Sequence, residues 1–148
     1  MRKYKLDLTR HQLRQLAFQS IFIQLFDEDL TAEDAVDHAL ALFPRQFNDG
    51  AEIPEYLTIV VPGITEKETE IDAVIVKYLK NWKINRIAKT DLAILRLAIY
   101  EMLYLEDVPT KVSLNEALEL TKEFSDDESR RFVNGVLSAA MLEINENK

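Results

Sequence analysis

The 148-residue sequence predicts an all-α protein of about seven helices, and three observations carry that reading. Apolar residues recur every three or four positions, the spacing of one face of a helix. No stretch alternates apolar and polar residues for long enough to make a strand. Chain breakers are scarce: three glycines (Gly50, Gly63, Gly135) and four prolines (Pro44, Pro54, Pro62, Pro109). Hydrophobic residues make up 47% of the chain, enough to bury a core without a covalent staple. Residues 1–148 are therefore read as one helical domain, with a basic flexible arm over 1–8.

Thr9-Arg10-His11-Gln12 reads as a capping box, with the threonine at the N-cap and the glutamine reaching back. A helix follows to about Phe26, striped by Leu13, Leu16, Ala17, Ile21 and Leu25, with Phe18, Phe22 and Phe26 beside the stripe. After the Asp27-Glu28-Asp29 turn, Thr31 caps a second helix that carries Ala35, Val36, Ala39, Leu40 and Phe43 and ends at Pro44. Residues 45–53 are a polar loop. Pro54 opens a helical region to about Asn81, which Pro62-Gly63 should kink or break. Its second half turns Ile64, Ile71, Val74, Ile75, Tyr78 and Leu79 inward.

Thr90 is the expected cap of the most apolar helix, and Asp91 suits its positive end. Leu92, Ile94, Leu95, Leu97, Ala98, Ile99, Met102, Leu103 and Leu105 encircle that helix, so it belongs at the centre of the fold. Ser113-Leu114-Asn115-Glu116 reads as a second capping box, opening a helix to about Phe124. Ser125-Asp126-Asp127-Glu128 reads as a third, opening the last helix, where Phe132, Val133, Val136, Leu137, Ala140 and Ile144 keep helical spacing. Gly135 inside that pattern is expected to allow close helix packing.

The chemistry of an enzyme is missing. Without cysteine there are no disulfides and no thiolate metal sites, which fits a reducing, cytoplasmic setting. The basic start is not followed by the apolar segment of a secretory signal. Apolar stretches are too short and too charged to span a bilayer. There is no His-Glu-x-x-His, no calcium loop, no glycine-rich phosphate loop and no nucleophile elbow. No catalytic residue, metal or cofactor is expected. The pairs Asp27 with Asp29 and Asp126 with Asp127 lie at helix ends, where carboxylates cap and solvate. His38, beside Asp34 and Asp37, reads as a surface residue.

Charge is unevenly placed. The net formal charge is -8, yet residues 1–14 hold Arg2, Lys3, Lys5, Arg10 and Arg14 against Asp7 alone. That end carries +4, and the other 134 residues carry -12. Arg10 and Arg14 are four apart and share a helix face, with His11 alongside and Lys3 and Lys5 on the arm before it. A helix N-terminus adds unpaired N–H groups and a positive dipole end. No element looks like a major-groove recognition helix, so a single-stranded RNA backbone is the more natural nucleic-acid ligand of this strip, while ordinary solubilising charges on an exposed face are the other reading that composition allows.

Several segments together resemble the NusB family of bacterial antitermination factors, over most of the chain and most strongly after residue 82. They are Trp82-Lys83-Ile84-Asn85-Arg86, Ala93-Ile94-Leu95-Arg96-Leu97-Ala98-Ile99-Tyr100-Glu101, Val108-Pro109-Thr110-Lys111-Val112-Ser113-Leu114-Asn115-Glu116-Ala117 and Arg131-Phe132-Val133-Asn134-Gly135-Val136-Leu137. In the N-terminal half the likeness is looser, through Arg10, Arg14, Ala17 and Gln19. The resemblance implies two packed three-helix bundles, here roughly residues 9–80 and 81–148. It implies an adaptor that binds boxA-type RNA together with NusE, a small-subunit ribosomal protein, on elongating RNA polymerase, in support of ribosomal RNA synthesis. It places RNA near Arg10, Arg14 and Arg131, and the protein partner near Phe22 and Asp91. His11 and Gln12 stand where the family commonly has further arginines; Lys3 and Lys5 compensate, and the acidic body suits a basic partner. Some family members form homodimers that hide the RNA face, and others are monomers. Two other readings are a protein-interaction bundle without RNA contact and a domain related to RNA cytosine methyltransferases. The second needs a nucleophilic cysteine that this sequence lacks.

Overall fold

A computed structural model describes residues 8–42, 52–80 and 83–148. Among the described residues there are seven α-helices, one 3-10 turn and no strand. The helices are α1 (Arg10–Phe26), α2 (Ala32–Leu42), α3 (Glu55–Glu66), α4 (Glu68–Lys77), α5 (Lys89–Tyr104), α6 (Thr110–Phe124) and α7 (Asp127–Glu146), with the 3-10 turn at Ile84–Arg86 before α5. The expected end of the second helix at Phe43-Pro44, most of the 45–53 loop, and Lys3 and Lys5 lie outside the described residues.

The chain forms two compact units, Met1–Thr65 and Glu66–Lys148. The division falls earlier than the expected boundary near residue 80, because α4 packs with α5 and α7. Three helices thus belong to the first unit and four to the second.

In the first unit the predicted capping box is present. Thr9 Oγ1 accepts from the Gln12 N–H at 3.1 Å, and Gln12 Oε1 accepts from the Thr9 N–H at 3.0 Å. Leu16, Ala17, Phe18 and Ile21 of α1 are buried, as are Ala35, Val36 and Ala39 of α2, which packs on α1. Thr31 Oγ1 caps α2 by accepting from the Asp34 N–H at 3.0 Å. Asp27 Oδ1 accepts from the Asp29 N–H, so this acidic turn is a local hydrogen-bonded device.

Pro62 does not break its helix. It lies inside α3, which runs on to Glu66. Proline removes the N–H that the Thr58 carbonyl would have accepted. Both residues are exposed, so the gap lies on the solvent side of the helix and not in the core. Leu57, Val60, Val61 and Ile64 keep the opposite face buried. The break comes at Lys67, which precedes α4 without a side-chain cap.

The second unit is organised by α5. Every residue from Asp91 to Met102 is buried, as its apolar circumference requires. It packs against α4, α6 and α7. Thr90 is not its cap; Ala88 holds that position without a side-chain bond, and Thr90 lies inside the first turn. Arg96 donates from Nε and Nη2 to Asp72 at 2.9 and 2.8 Å, and its Nη1 lies 2.8 Å from Glu68 Oε1. Glu68 and Asp72 are four apart on α4 and so face the guanidinium together. Lys77 of α4 pairs with Glu143 of α7.

Ser113 is likewise not a cap. Helix α6 begins at Thr110, and Ser113 Oγ, inside it, donates to the buried Glu101 Oε1 at 2.8 Å. Asn115 and Glu116 therefore lie within the helix rather than in a capping turn. The last helix is capped by Asp126, whose Oδ1 accepts from the Ser129 N–H at 2.8 Å, one residue later than the expected Ser125 box. Val133, Val136, Leu137, Ala140 and Ile144 are buried as predicted, whereas Phe132 is half-buried. Gly135 is exposed, and among the described residues a Cβ there would meet no heavy atom within 4 Å beyond its own helix backbone, so packing against the described helices does not require it.

Replacing Arg96 by Met keeps the apolar stem and leaves two carboxylates unanswered. Because Glu68 and Asp72 are partly exposed, the expected cost is about 2 kcal/mol, below that of breaking a fully buried pair. Urea unfolding of Arg96→Met with an unchanged m-value checks this.

Candidate nucleic-acid and partner interfaces

The predicted residues fall into one group in each unit. In the first unit Arg10 opens α1 and is exposed, while His11 is half-buried. Arg14, one turn on, is only 5% exposed. The two arginines share a helix face but not a solvent environment. The first turn of α1 contains no acidic residue, so its positive end is uncompensated by carboxylates on the helix itself.

Phe22 is the middle rung of an aromatic ladder on α1. Its ring stacks on Phe18 at 5.8 Å between centroids and meets Phe26 edge-on at 4.9 Å. The four-residue spacing produces the ladder. It runs from the core to solvent: Phe18 is 3% exposed and Phe26 65%.

In the second unit Asp91 lies in the first turn of α5, where the dipole favours a carboxylate. It is 6% exposed. Ser129 Oγ of α7 donates to Asp91 Oδ2 at 3.0 Å. Asp91 Oδ1 is buried with no hydrogen-bond partner among the described residues. This carboxylate lines a cleft of about 320 Å³ together with Arg86, Ile87, Ala88, Asp126, Glu128, Ser129 and Phe132. Arg131, on the exposed side of α7, is the neighbour of Phe132. Apart from Asp91, none of the wall residues figured in the predicted site. Arg86 and Phe132 stood in the family-resembling segments and Asp126 and Glu128 in the expected capping box, but none of these signals pointed to a cleft, which needs the 3-10 turn, α5 and α7 brought together.

Burial raises the Asp91 carboxyl above its ordinary value of 3.8, the Ser129 hydrogen bond opposes that rise, and the nearby Asp126 charge adds to it. Among the described residues no three carboxylates or histidines are placed to hold a metal. The arrangement offers a cationic helix start in one unit and a carboxylate-walled cleft in the other.

The pH dependence follows from the sign of that shift. A carboxyl whose folded pKa is raised adds its full stability below the unfolded pKa, and that contribution is lost as pH rises through the folded value. Wild type should therefore lose stability relative to Asp91→Asn as pH climbs from about 3 toward neutrality, in the window above 3.8. Paired urea titrations across that range check it, and parallel curves would contradict a shifted Asp91.

Comparison with known proteins agrees with this architecture. The NusB family model matches residues 11–141, from the first turn of α1 into the last turns of α7. The transcription antitermination protein NusB of Enterococcus faecalis V583 is 51% identical over 147 residues, covering 97% of this chain and 96% of its own. The solved structure of T. maritima NusB superposes with a TM-score of 0.79 at 28% identity, covering 93% of this chain and 94% of that one. A crystal structure of the antitermination factors NusB and NusE in complex with double-stranded RNA shares the fold, with a TM-score of 0.77 at 23% identity over 92% of this chain and 99% of that one. Matched by the family model over most of its length and half identical to a full-length relative, the chain belongs to the NusB family.

Proposed function

We propose that this chain is a transcription antitermination adaptor that holds boxA-type RNA and NusE on elongating RNA polymerase. The observation that carries the reading is the half-identical relative, a transcription antitermination protein matched over nearly its full length. The fold neighbour solved with NusE and RNA supplies the two partner classes. The chain acts by binding, not by catalysis, and works in the cytoplasm, where bacterial transcription runs. No described helix is long and apolar enough to cross a membrane.

Each candidate residue receives a role on this reading. Arg10, at the open start of α1, and Arg131, exposed on α7, contact phosphates. Lys3 and Lys5 extend the basic strip, and His11 adds a ring nitrogen beside it. Arg14, only 5% exposed, leaves little surface for RNA to reach. Phe22 and Asp91 serve the protein partner: one presents an aromatic edge, the other a carboxylate.

Arg10→Ala combined with Arg131→Ala should weaken boxA RNA binding without loss of helicity, because both side chains are exposed. If about four phosphates are neutralised, log K against log salt has a slope near roughly -3 for a single strand, and the double variant reduces its magnitude by about 1.4. Filter binding at several salt concentrations, with circular dichroism as control, measures both. Unchanged affinity and slope would remove RNA from these residues, and NusE binding indifferent to RNA would favour a protein-only adaptor.

A further inference from the structure

Most of α1 is uncharged. Residues 15–26, twelve of its 17, contain no Asp, Glu, Lys or Arg, although such residues make up 30% of the chain. A fully buried helix has this composition, but α1 is not one. Leu16, Ala17, Ser20 and Ile21 are buried on one side, whereas Gln15 and Gln19 on the other are half-buried, as is His11 one turn earlier. These three stand at i, i+4 and i+8 and so form one stripe. The solvent side of a helix ordinarily carries charges. Here amides take their place.

The stripe starts at the cationic end of the helix. His11 follows Arg10, and the first turn holds no carboxylate. Gln19 lies about 14 Å beyond Arg10 at the helical rise. Three residues after Gln19 comes Phe22, also half-buried, the ring assigned above to the protein partner. The amides thus lie between a phosphate-binding start and a partner-facing ring. Of the four N-terminal residues that carry the family likeness, Arg10 and Arg14 supply charge and Ala17 is core. Gln19 is neither cation nor core. A glutamine amide offers two donors and an acceptor on one planar group. It pairs through two hydrogen bonds with a base edge that has an acceptor beside a donor, as adenine has at N7 and N6. Single-stranded RNA leaves such edges open. An ammonium at this place would bind any phosphate without reading a base, and a carboxylate would repel the backbone. Half-burial restrains the side chain beforehand, so less freedom is lost on binding.

We infer that Gln19 is a base-reading residue: its amide hydrogen-bonds the edge of one base of the single-stranded RNA whose phosphates are held at the start of α1. His11 and Gln15 line the path between them. The inference rests on the adaptor reading and adds sequence discrimination, which phosphate contacts do not supply. Removing the amide costs selectivity at one base position and leaves the electrostatic attraction intact, because no charge is removed.

Filter binding of boxA RNA and a set of singly substituted boxA RNAs to the full-length chain, with purified NusE present, tests this. Gln19→Met keeps the length and helix propensity of glutamine without its amide, and Gln19→Ala removes the side chain beyond Cβ. Both should weaken boxA binding about tenfold with an unchanged salt slope. On the RNA substituted at the position read, wild type and both variants should bind alike; at other positions the tenfold gap should persist. If both variants bind and rank the RNAs as wild type does, the inference is wrong while the adaptor reading stands. An equal loss on every RNA, or lost helicity by circular dichroism in both variants, would overturn it by showing that Gln19 supports the helix. Weaker NusE binding with the RNA ranking intact would assign the stripe to the protein instead. If wild type with NusE does not prefer boxA to an unrelated RNA of equal length, RNA leaves the adaptor reading and this inference falls with it.

Discussion

A charge on a helix buried on every side is costly unless it is answered, and the buried stretch of α5 carries three. Asp91, Arg96 and Glu101 all lie within its buried stretch. They are five residues apart. At about 100° per residue, each step of five adds a full turn and a further 140°, so the three side chains point in three directions. Each meets a different helix: Asp91 takes Ser129 of α7, Arg96 takes Glu68 and Asp72 of α4, and Glu101 takes Ser113 of α6. The apolar residues around α5 would tolerate small rotations and slips. Buried charges do not, because each displaced one loses its hydrogen bonds inside the protein. The order of helices around α5 is thus written in a five-residue charge spacing as well as in its hydrophobic surface.

The three answers are unequal, and the inequality separates structure from site. Arg96 has a complete set, with two nitrogens on Asp72 and the third on Glu68. Glu101 is 1% exposed and sits inside the packed contact of α5 with α6. Asp91, at the end of α5, uses one oxygen on Ser129 and keeps the other buried beside an open cleft. The same group that lowers stability in the free chain is the one most able to gain from a partner's donor. Binding sites concentrate such unfinished interactions, since a fully satisfied group has nothing further to offer.

What could be read from the sequence, and what could not, follows the range of each interaction. The Thr9–Gln12 box, the end of α1 at Phe26 and the burial of α5 were legible because local spacing determines them. The Ser113 motif has the same local form as a cap, but its hydroxyl bonds to Glu101, twelve residues away, and only the packed structure reveals that choice. The Ser125 and Asp126 registers differ by one residue, and both fit the pattern; the backbone selects Asp126 because its carboxylate reaches the Ser129 N–H. Pro62 reads as a breaker, yet it stands on an exposed face, where a missing hydrogen bond is not buried, and the helix continues. For the site, Arg10 and Arg131 are exposed as expected, whereas the small exposure of Arg14 depends on surroundings that helix spacing does not specify. Gly135 was legible as an anomaly, but packing against the described helices, its supposed cause, does not require it.

The net charge of -8 says little about which ions a local surface attracts, for a reason that can be given a length. At physiological ionic strength exposed charges lose sight of one another beyond about 8 Å. Helix α1 has 17 residues and is about 25 Å long, so Arg10 at its start is roughly three screening lengths from the Asp27-Glu28-Asp29 turn at its end. The acidic turn cannot cancel the basic start. A ligand therefore responds to the local set of charges it touches and not to the sum over the chain. The carboxylate cleft is likewise a local set, built from the start of α7, the start of α5 and the turn before it, and its own charges decide what it attracts.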